Sequence, residues 1–150
     1  MRFVIQNVTE GNVSIDGRIN GSVGRGFVVL IGIAQNDTEE IADKMIDKMF
    51  KLRVFDDENG KTNLNLEQVD GGLLLVSQFT LYADVKSGNR PGFSRAGKPD
   101  MASKLYDHIV EECRKRNGKV GTGIFGADMK VSLVNDGPFT VILDSDELSF

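Results

Sequence analysis

Residues 73–82 read LLLVSQFTLY. Leu73, Leu74, Leu75 and Val76 follow the Gly71-Gly72 pair without alternation, as in a strand buried on both faces. Ser77, Gln78 and Thr80 then stand around Phe79 before Leu81 and Tyr82 resume the apolar run. A buried polar group without a partner costs roughly 1–3 kcal/mol, so these three side chains need hydrogen bonds. Two readings are open. Either they satisfy neighbouring loop backbone, or they form a rigidly mounted site with hydroxyl, amide and backbone N–H groups aimed into a pocket.

Upstream, Arg2–Val8 alternates as a first strand, and Val13–Ile15 and Arg18–Val23 flank Asp16-Gly17, a pair suited to a type I′ hairpin. After Gly24-Arg25-Gly26, Phe27–Ile33 reads as a second fully buried strand, and the whole as an antiparallel meander. Asp37, with Glu40 three residues on, is the expected cap of a helix running to about Leu52. Its Ile41, Met45 and Met49 stripe, beside Ala42 and Ile46, reads as packing on a sheet rather than as a binding groove. Arg53–Phe55 is a short strand. The acidic run Asp56–Gly60 lacks the ligand spacing of a calcium loop and reads as a turn.

Downstream, Ala83–Pro99 has little periodicity and much Gly, Pro and Ser. Lys86, Arg90, Arg95 and Lys98 oppose Asp84 there, a local +3 inside a chain of net charge −4. A solvated surface loop and a clamp for a phosphate-bearing ligand both fit. Asp100 is the expected cap of a second helix to about Asn117, with Gly118 as its stop. Met101, Leu105, Ile109 and Cys113 form its buried stripe with Ala102, Tyr106 and Val110 alongside; Cys113 reads as apolar filler. The only histidine, His108, falls just off these stripes, at a surface or boundary position. Gly121–Gly126 matches the dinucleotide-binding glycine pattern by letter. It follows a helix and precedes a strand, the reverse of what phosphate cradling requires, so it reads as a glycine-rich loop. Met129–Val134 and Phe139–Leu143 are two further strands, and Ser145–Phe150 a frayed tail.

At 150 residues and 40% apolar content, residues 1–150 are expected to form a single domain with a substantial core. One cysteine excludes an internal disulfide, and no Cys/His cluster suits a structural zinc. The N-terminal residues turn polar too early for a signal peptide, and no apolar run approaches the roughly 20 residues that cross a bilayer. The expectation is a soluble cytoplasmic protein without membrane association, so the Asn-x-Ser/Thr triplets at Asn7, Asn12 and Asn36 carry no glycosylation meaning. The acidic balance argues against sequence-blind nucleic-acid coating, though not against a local basic patch.

Between the last two strands lies Asn135-Asp136-Gly137-Pro138-Phe139-Thr140. A Gly-Pro pair there would hold two carbonyl oxygens in a fixed direction without side-chain bulk. With this stretch and Ser77-Gln78-Phe79-Thr80, the chain closely resembles the D-aminoacyl-tRNA deacylase family, whose signatures are Ser-Gln-Phe-Thr and Asn-x-Gly-Pro-x-Thr. Family-like segments at Leu52–Leu66, Arg90–Arg95 and Phe125–Asn135 extend the likeness over nearly the whole chain. Two positions depart from it. Phe139 replaces a small aliphatic residue, and Asn7 stands where many members carry an arginine that braces the Gly-Pro unit.

The resemblance implies an α+β fold of mostly antiparallel sheet in a barrel-like core, with two main helices packed outside, in a homodimer. It implies hydrolysis of the ester joining a D-amino acid to tRNA, and of glycine misplaced on alanine tRNA, with no cofactor or metal and no DNA partner. Catalysis would centre on Ser77, Gln78, Phe79 and Thr80. Substrate would meet Gly137 and Pro138, cis and inserted into the partner subunit's pocket, together with Arg90, Arg95 and Met129. One histidine in a helical pattern argues against a Ser-His-Asp triad. Thr80 as nucleophile lacks an evident base. The alternative is polarisation of the carbonyl by N–H groups near Phe79 and Thr80, Gln78 positioning the terminal adenosine and the ribose 2′-hydroxyl orienting water. The competing functions are a non-catalytic RNA-binding or dimerisation module, and a general esterase or amidase on small D-amino acid derivatives.

Overall fold

The computed structural model describes residues Met1–Phe150. Strand β1 (Arg2–Ile15) turns back through Asp16 and Gly17, both at positive φ as a type I′ hairpin requires, into β2 (Arg18–Val23). Next come β3 (Gly26–Gly32), α1 (Glu39–Lys51) and a small hairpin of β4 (Phe55–Asp56) and β5 (Thr62–Leu64). Strand β6 (Gly72–Ser77) passes into a 3₁₀ turn at Phe79–Tyr82. Helix α2 (Pro99–Arg116), β7 (Val120–Thr122) and β8 (Lys130–Asp144) complete the chain.

The main sheet runs β2-β1-β3-β6-β7, with β8 on the other edge of β1. The first half of β1 pairs with β3 and the second half with β2, while β8 follows almost its whole length. The expected meander is therefore replaced by an arrangement in which β1 is central. The sheet is mixed, because β6 runs parallel to both β3 and β7. At the far ends of this order β2 and β7 meet. The Asn20 amide donates to the Thr122 carbonyl at 2.7 Å. A Cβ at Gly121 would lie 2.6 Å from the Ser22 carbonyl oxygen, so only glycine permits this approach. The sheet thereby nearly closes into a barrel.

Strand β6 is buried on both faces, as its unbroken apolar run predicts. Leu73 and Leu75 join the larger core with Phe3, Ile5, Met45 and Ile109, beneath the two helices. Leu74 and Val76 join Val8, Val13 and Val28 inside the barrel. Both helical stripes face the core as expected, with Met45, Met49, Ile109 and Cys113 fully buried. Burial pushes the Cys113 thiol up to about 12, so it stays protonated filler.

The helix starts differ from their sequence signals. Thr38, not Asp37, caps α1, its hydroxyl accepting from the Ile41 N–H at 3.2 Å. Asp37 is drawn instead to the Ala34 N–H and the Met1 ammonium. Helix α2 starts at Pro99, with Lys98 as its cap residue and no side-chain cap bond; Asp100 lies in the first turn. Residues after Asp144, expected to fray, begin with a tied segment. The Ser145 N–H donates to the Met1 carbonyl at 2.9 Å, and Leu148 packs on the core. No helix is long and apolar enough to cross a membrane.

Candidate active site

Where β6 ends, Ser77 is the last residue paired with β3, and the Gln78 N–H donates to the Ile31 carbonyl at 2.7 Å. The chain then tightens into the Phe79–Tyr82 turn. Its hydrogen bonding starts with the Gln78 carbonyl, which accepts from the Leu81 N–H at 3.2 Å, so the Phe79 and Thr80 N–H groups lie outside its ladder. A strand buried on both faces thus fixes the point from which two adjacent main-chain donors project. The Gln78 side-chain amide donates to the Thr80 hydroxyl, pairing two of the polar groups that the sequence left without assigned partners.

Beside this turn opens a cleft of about 730 Å³. Ser77, Gln78 and Phe79 line it with Met129, just before β8, and Val131 at its start. Thr80 is exposed at its border and is not among the lining residues. Three further segments complete the wall, among them the long loop that the sequence offered as a clamp, whose Lys98 is a lining residue. Phe93 and Ser94 come from the long loop, Lys98 and Pro99 from the start of α2, and Phe125 and Gly126 from the glycine-rich loop. Phe79 and Phe93 pack edge to face at 4.9 Å, and 55% and 41% of their surfaces remain exposed, giving the mouth an aromatic lip.

The loop after Tyr82 is an ordered arch. Asp84 and Gly92 exchange backbone hydrogen bonds at 2.7 and 2.9 Å, and the Gly97 N–H donates to the Ile33 carbonyl at 2.8 Å. Arg90 is exposed on the arch. Arg95 is also exposed, its guanidinium 5.8 Å from the Tyr82 ring centre, and neither arginine lines the cleft. His108 lies between the helices, bonded to Asp43 at 2.7 Å, and contributes nothing to the cleft. No group of three or more His, Cys, Asp or Glu side chains is arranged to hold a metal ion.

Gly137 and Pro138 lie outside this cleft. The two strands expected around them are one, β8, whose pairing with β1 is interrupted. Gln6 pairs with Thr140 and Val8 with Asn135, so Asn7 alone faces the four residues 136–139, which bulge out as a lobe. Asp136, Gly137 and Pro138 are exposed, and the Gly137-Pro138 bond is cis. Gly137 has φ of 134°, and a Cβ there would lie 3.0 Å from the Phe139 nitrogen. The Asn135 side chain closes the base of the lobe, accepting from the Phe139 N–H at 2.6 Å and donating to the Thr140 hydroxyl at 2.9 Å. Phe139 packs on the main core. Asn7, 6% exposed, donates to the Val54 carbonyl at 2.6 Å, and its Oδ1 has no partner.

The family model for D-Tyr-tRNA(Tyr) deacylase matches residues 4–144, which hold the cleft, the turn and the lobe. The chain belongs to this family. A D-aminoacyl-tRNA deacylase of Cellvibrio japonicus is 52% identical over 146 residues, covering 97% of this chain and 100% of that one. One from Chlorobaculum tepidum is 53% identical over 146 residues, covering 97% of each. Among solved structures, a c-Myc DNA unwinding element binding protein superposes with a TM-score of 0.91 at 38% identity, covering 96% of this chain and 98% of that one. A probable eukaryotic D-amino acid tRNA deacylase shares the fold, with a TM-score of 0.84 at 18% identity over 95% and 97% of the two chains. The polarity break at Ser77–Thr80 thus stands beside a cleft, whereas the Gly137-Pro138 motif sits apart on the surface.

Proposed function

We propose that the protein hydrolyses the ester joining a D-amino acid to the 3′ end of tRNA, and that each complete site is shared by two copies of the chain. The observation that carries this reading is the separation of the two signature motifs. The Phe79–Thr80 donors border a cleft, and the Gly137-Pro138 lobe is exposed and takes no part in its lining, so a second copy is the natural source of the missing wall. Exposed apolar side chains on β8, Val134 and Ile142 among them, supply a surface for such a homodimer.

In the shared site, the Phe79 and Thr80 N–H groups polarise the ester carbonyl and stabilise the oxyanion that forms when water adds. The C–O bond to the ribose then breaks, giving free amino acid and a ribose hydroxyl. The ribose 2′-hydroxyl orients the attacking water, which removes the need for a histidine base; the only histidine is held between the helices. Gln78 positions the terminal adenosine. The Gly137 and Pro138 carbonyls of the partner lobe hold the α-amino group. An L side chain is then driven against backbone, a D side chain faces outward, and glycine, including glycine misplaced on alanine tRNA, passes the same test.

Arg90 and Arg95 on the arch engage the phosphates of the acceptor end, and Met129 in the cleft wall lies against the bound 3′ end. The compartment where charged tRNA circulates, the cytoplasm, is the proposed site of action. Release of amino acid from D-tyrosyl-tRNA, with L-tyrosyl-tRNA spared, tests the reading directly. Binding of tRNA without release would replace it with a non-catalytic RNA-binding module, and equal turnover of free D-amino acid esters would replace it with a general esterase.

A further inference from the structure

Arg2 lies outside the cleft and outside both signature motifs, yet it reaches the element that carries the site. Its Nε donates to Asp144 Oδ2 at 2.6 Å and its Nη1 donates to the Leu81 carbonyl at 2.8 Å. Its guanidinium carbon sits 4.6 Å from the centre of the Tyr82 ring. Leu81 and Tyr82 are the second half of the 3₁₀ turn whose first half is Phe79 and Thr80. One planar group thus ties the end of β8 to this turn by two directed bonds and a ring face.

On the other side the turn packs against β3, where Leu81 and Tyr82 lie close over Gly32. Tyr82 is buried, but its hydroxyl has no partner, so packing and two guanidinium groups, Arg2 nearer than Arg95, hold the ring. The Asp144 hydrogen bond raises the Arg2 guanidinium further above its ordinary value, and the group carries its charge at any working pH. Burial alone would raise the Asp144 carboxyl, but bonds from Arg2 and the Asp146 N–H outweigh it and hold the carboxyl below its ordinary value. The pair is fully ionised at neutral pH.

We infer that Arg2 is a positioning residue for ester hydrolysis, which fixes the Phe79–Tyr82 turn through the Leu81 carbonyl and so holds the Phe79 and Thr80 N–H groups where the oxyanion forms. This rests on the proposed role of those two donors. A tilt of the turn that displaces the donors by about 1 Å costs catalysis up to about a hundredfold without altering how tRNA is gripped elsewhere.

The test compares Arg2→Ala and Arg2→Lys with the unaltered protein on D-tyrosyl-tRNA. Arg2→Ala is expected to lower kcat by roughly ten- to a hundredfold with KM for tRNA within about twofold, and to lower the melting temperature. Lysine is a point charge that keeps the pair with Asp144 but cannot hold the Leu81 carbonyl in the same fork. Arg2→Lys is therefore expected to recover the melting temperature while kcat remains low. Wild-type kcat in Arg2→Ala, or recovery of kcat and melting temperature together in Arg2→Lys, overturns the inference and leaves Arg2 a purely structural group. Failure of the unaltered protein to hydrolyse D-tyrosyl-tRNA would instead sink the function proposed above.

Discussion

Removing the Asn135 side chain is the perturbation that most directly separates the lobe's role from the stability of the fold. Asn135 makes two hydrogen bonds across the base of the lobe, to the Phe139 N–H at 2.6 Å and the Thr140 hydroxyl at 2.9 Å. At a net 0.5–1.5 kcal/mol each, their loss in Asn135→Ala costs the held conformation about 1–3 kcal/mol. That is roughly a five- to 150-fold loss in the ratio of held to released lobe, since 1.4 kcal/mol is a factor of about ten. Phe139 stays anchored on the core, which supports part of the lobe, so the expected fall in kcat/KM on D-tyrosyl-tRNA is about tenfold. The same energy spread over the global transition would lower the melting temperature by about 2–12 °C. Asn135→Asp keeps the acceptor for the Phe139 N–H, and the Thr140 hydroxyl can turn to donate to its second oxygen, so its activity should lie nearer the unaltered protein than Asn135→Ala does. Unchanged kcat/KM together with an unchanged preference for the D substrate in Asn135→Ala would refute the reasoning, because the lobe would then either not matter or not depend on this clamp.

Thr80→Ala removes a hydroxyl that accepts from the Gln78 amide but leaves the backbone donor in place, so deacylation should stay within about tenfold of the unaltered rate. Loss of all activity with an intact fold, read by circular dichroism, would favour Thr80 as a covalent nucleophile. Charge reversal at Arg90 and Arg95 should raise KM for tRNA and flatten its salt dependence while sparing turnover of a small D-amino acid ester. Equal effects on both substrates would remove these arginines from tRNA recognition. The depressed Asp144 carboxyl predicts acid sensitivity of a definite sign. A folded value below the ordinary 3.8 gives a stabilising contribution fully present above that value and lost as pH falls through the folded one. The melting-temperature difference between the unaltered protein and Asp144→Asn should hold steady above about pH 5 and shrink below about pH 4. A difference that widens on acidification would contradict the Arg2–Asp144 assignment.

Several elements could be read without coordinates because their signals are local. The stripes of α1 and α2 repeat with the helical period, and β6 shows an unbroken apolar run between glycines, as a doubly covered strand must. The Asp16-Gly17 hairpin followed from the φ values that its turn demands. Capping was less legible because it is a competition. Asp37 had the right side chain and position, but the Ala34 N–H and the Met1 ammonium claim its carboxylate, leaving Thr38 to cap. Strand order was not legible either. β1 serves β3 with one half of an edge and β2 with the other, a choice made by the closure of the barrel and not by either hairpin.

Local pattern in the chain already marks where polarity enters a buried strand and where a glycine-proline pair interrupts an apolar one. Both are set by neighbours in the chain and by the two- and 3.6-residue periods of its backbone. What those stretches face is set by the folded arrangement of the whole chain. Phe93, Pro99 and Phe125 carry no mark that they share a wall with Gln78, and nothing in Asn135–Thr140 alone tells that its lobe leaves the ladder opposite Asn7. The reason is physical: a cleft is made where segments distant in sequence converge, and that convergence is fixed by packing and strand register summed over the whole chain, which no local pattern encodes.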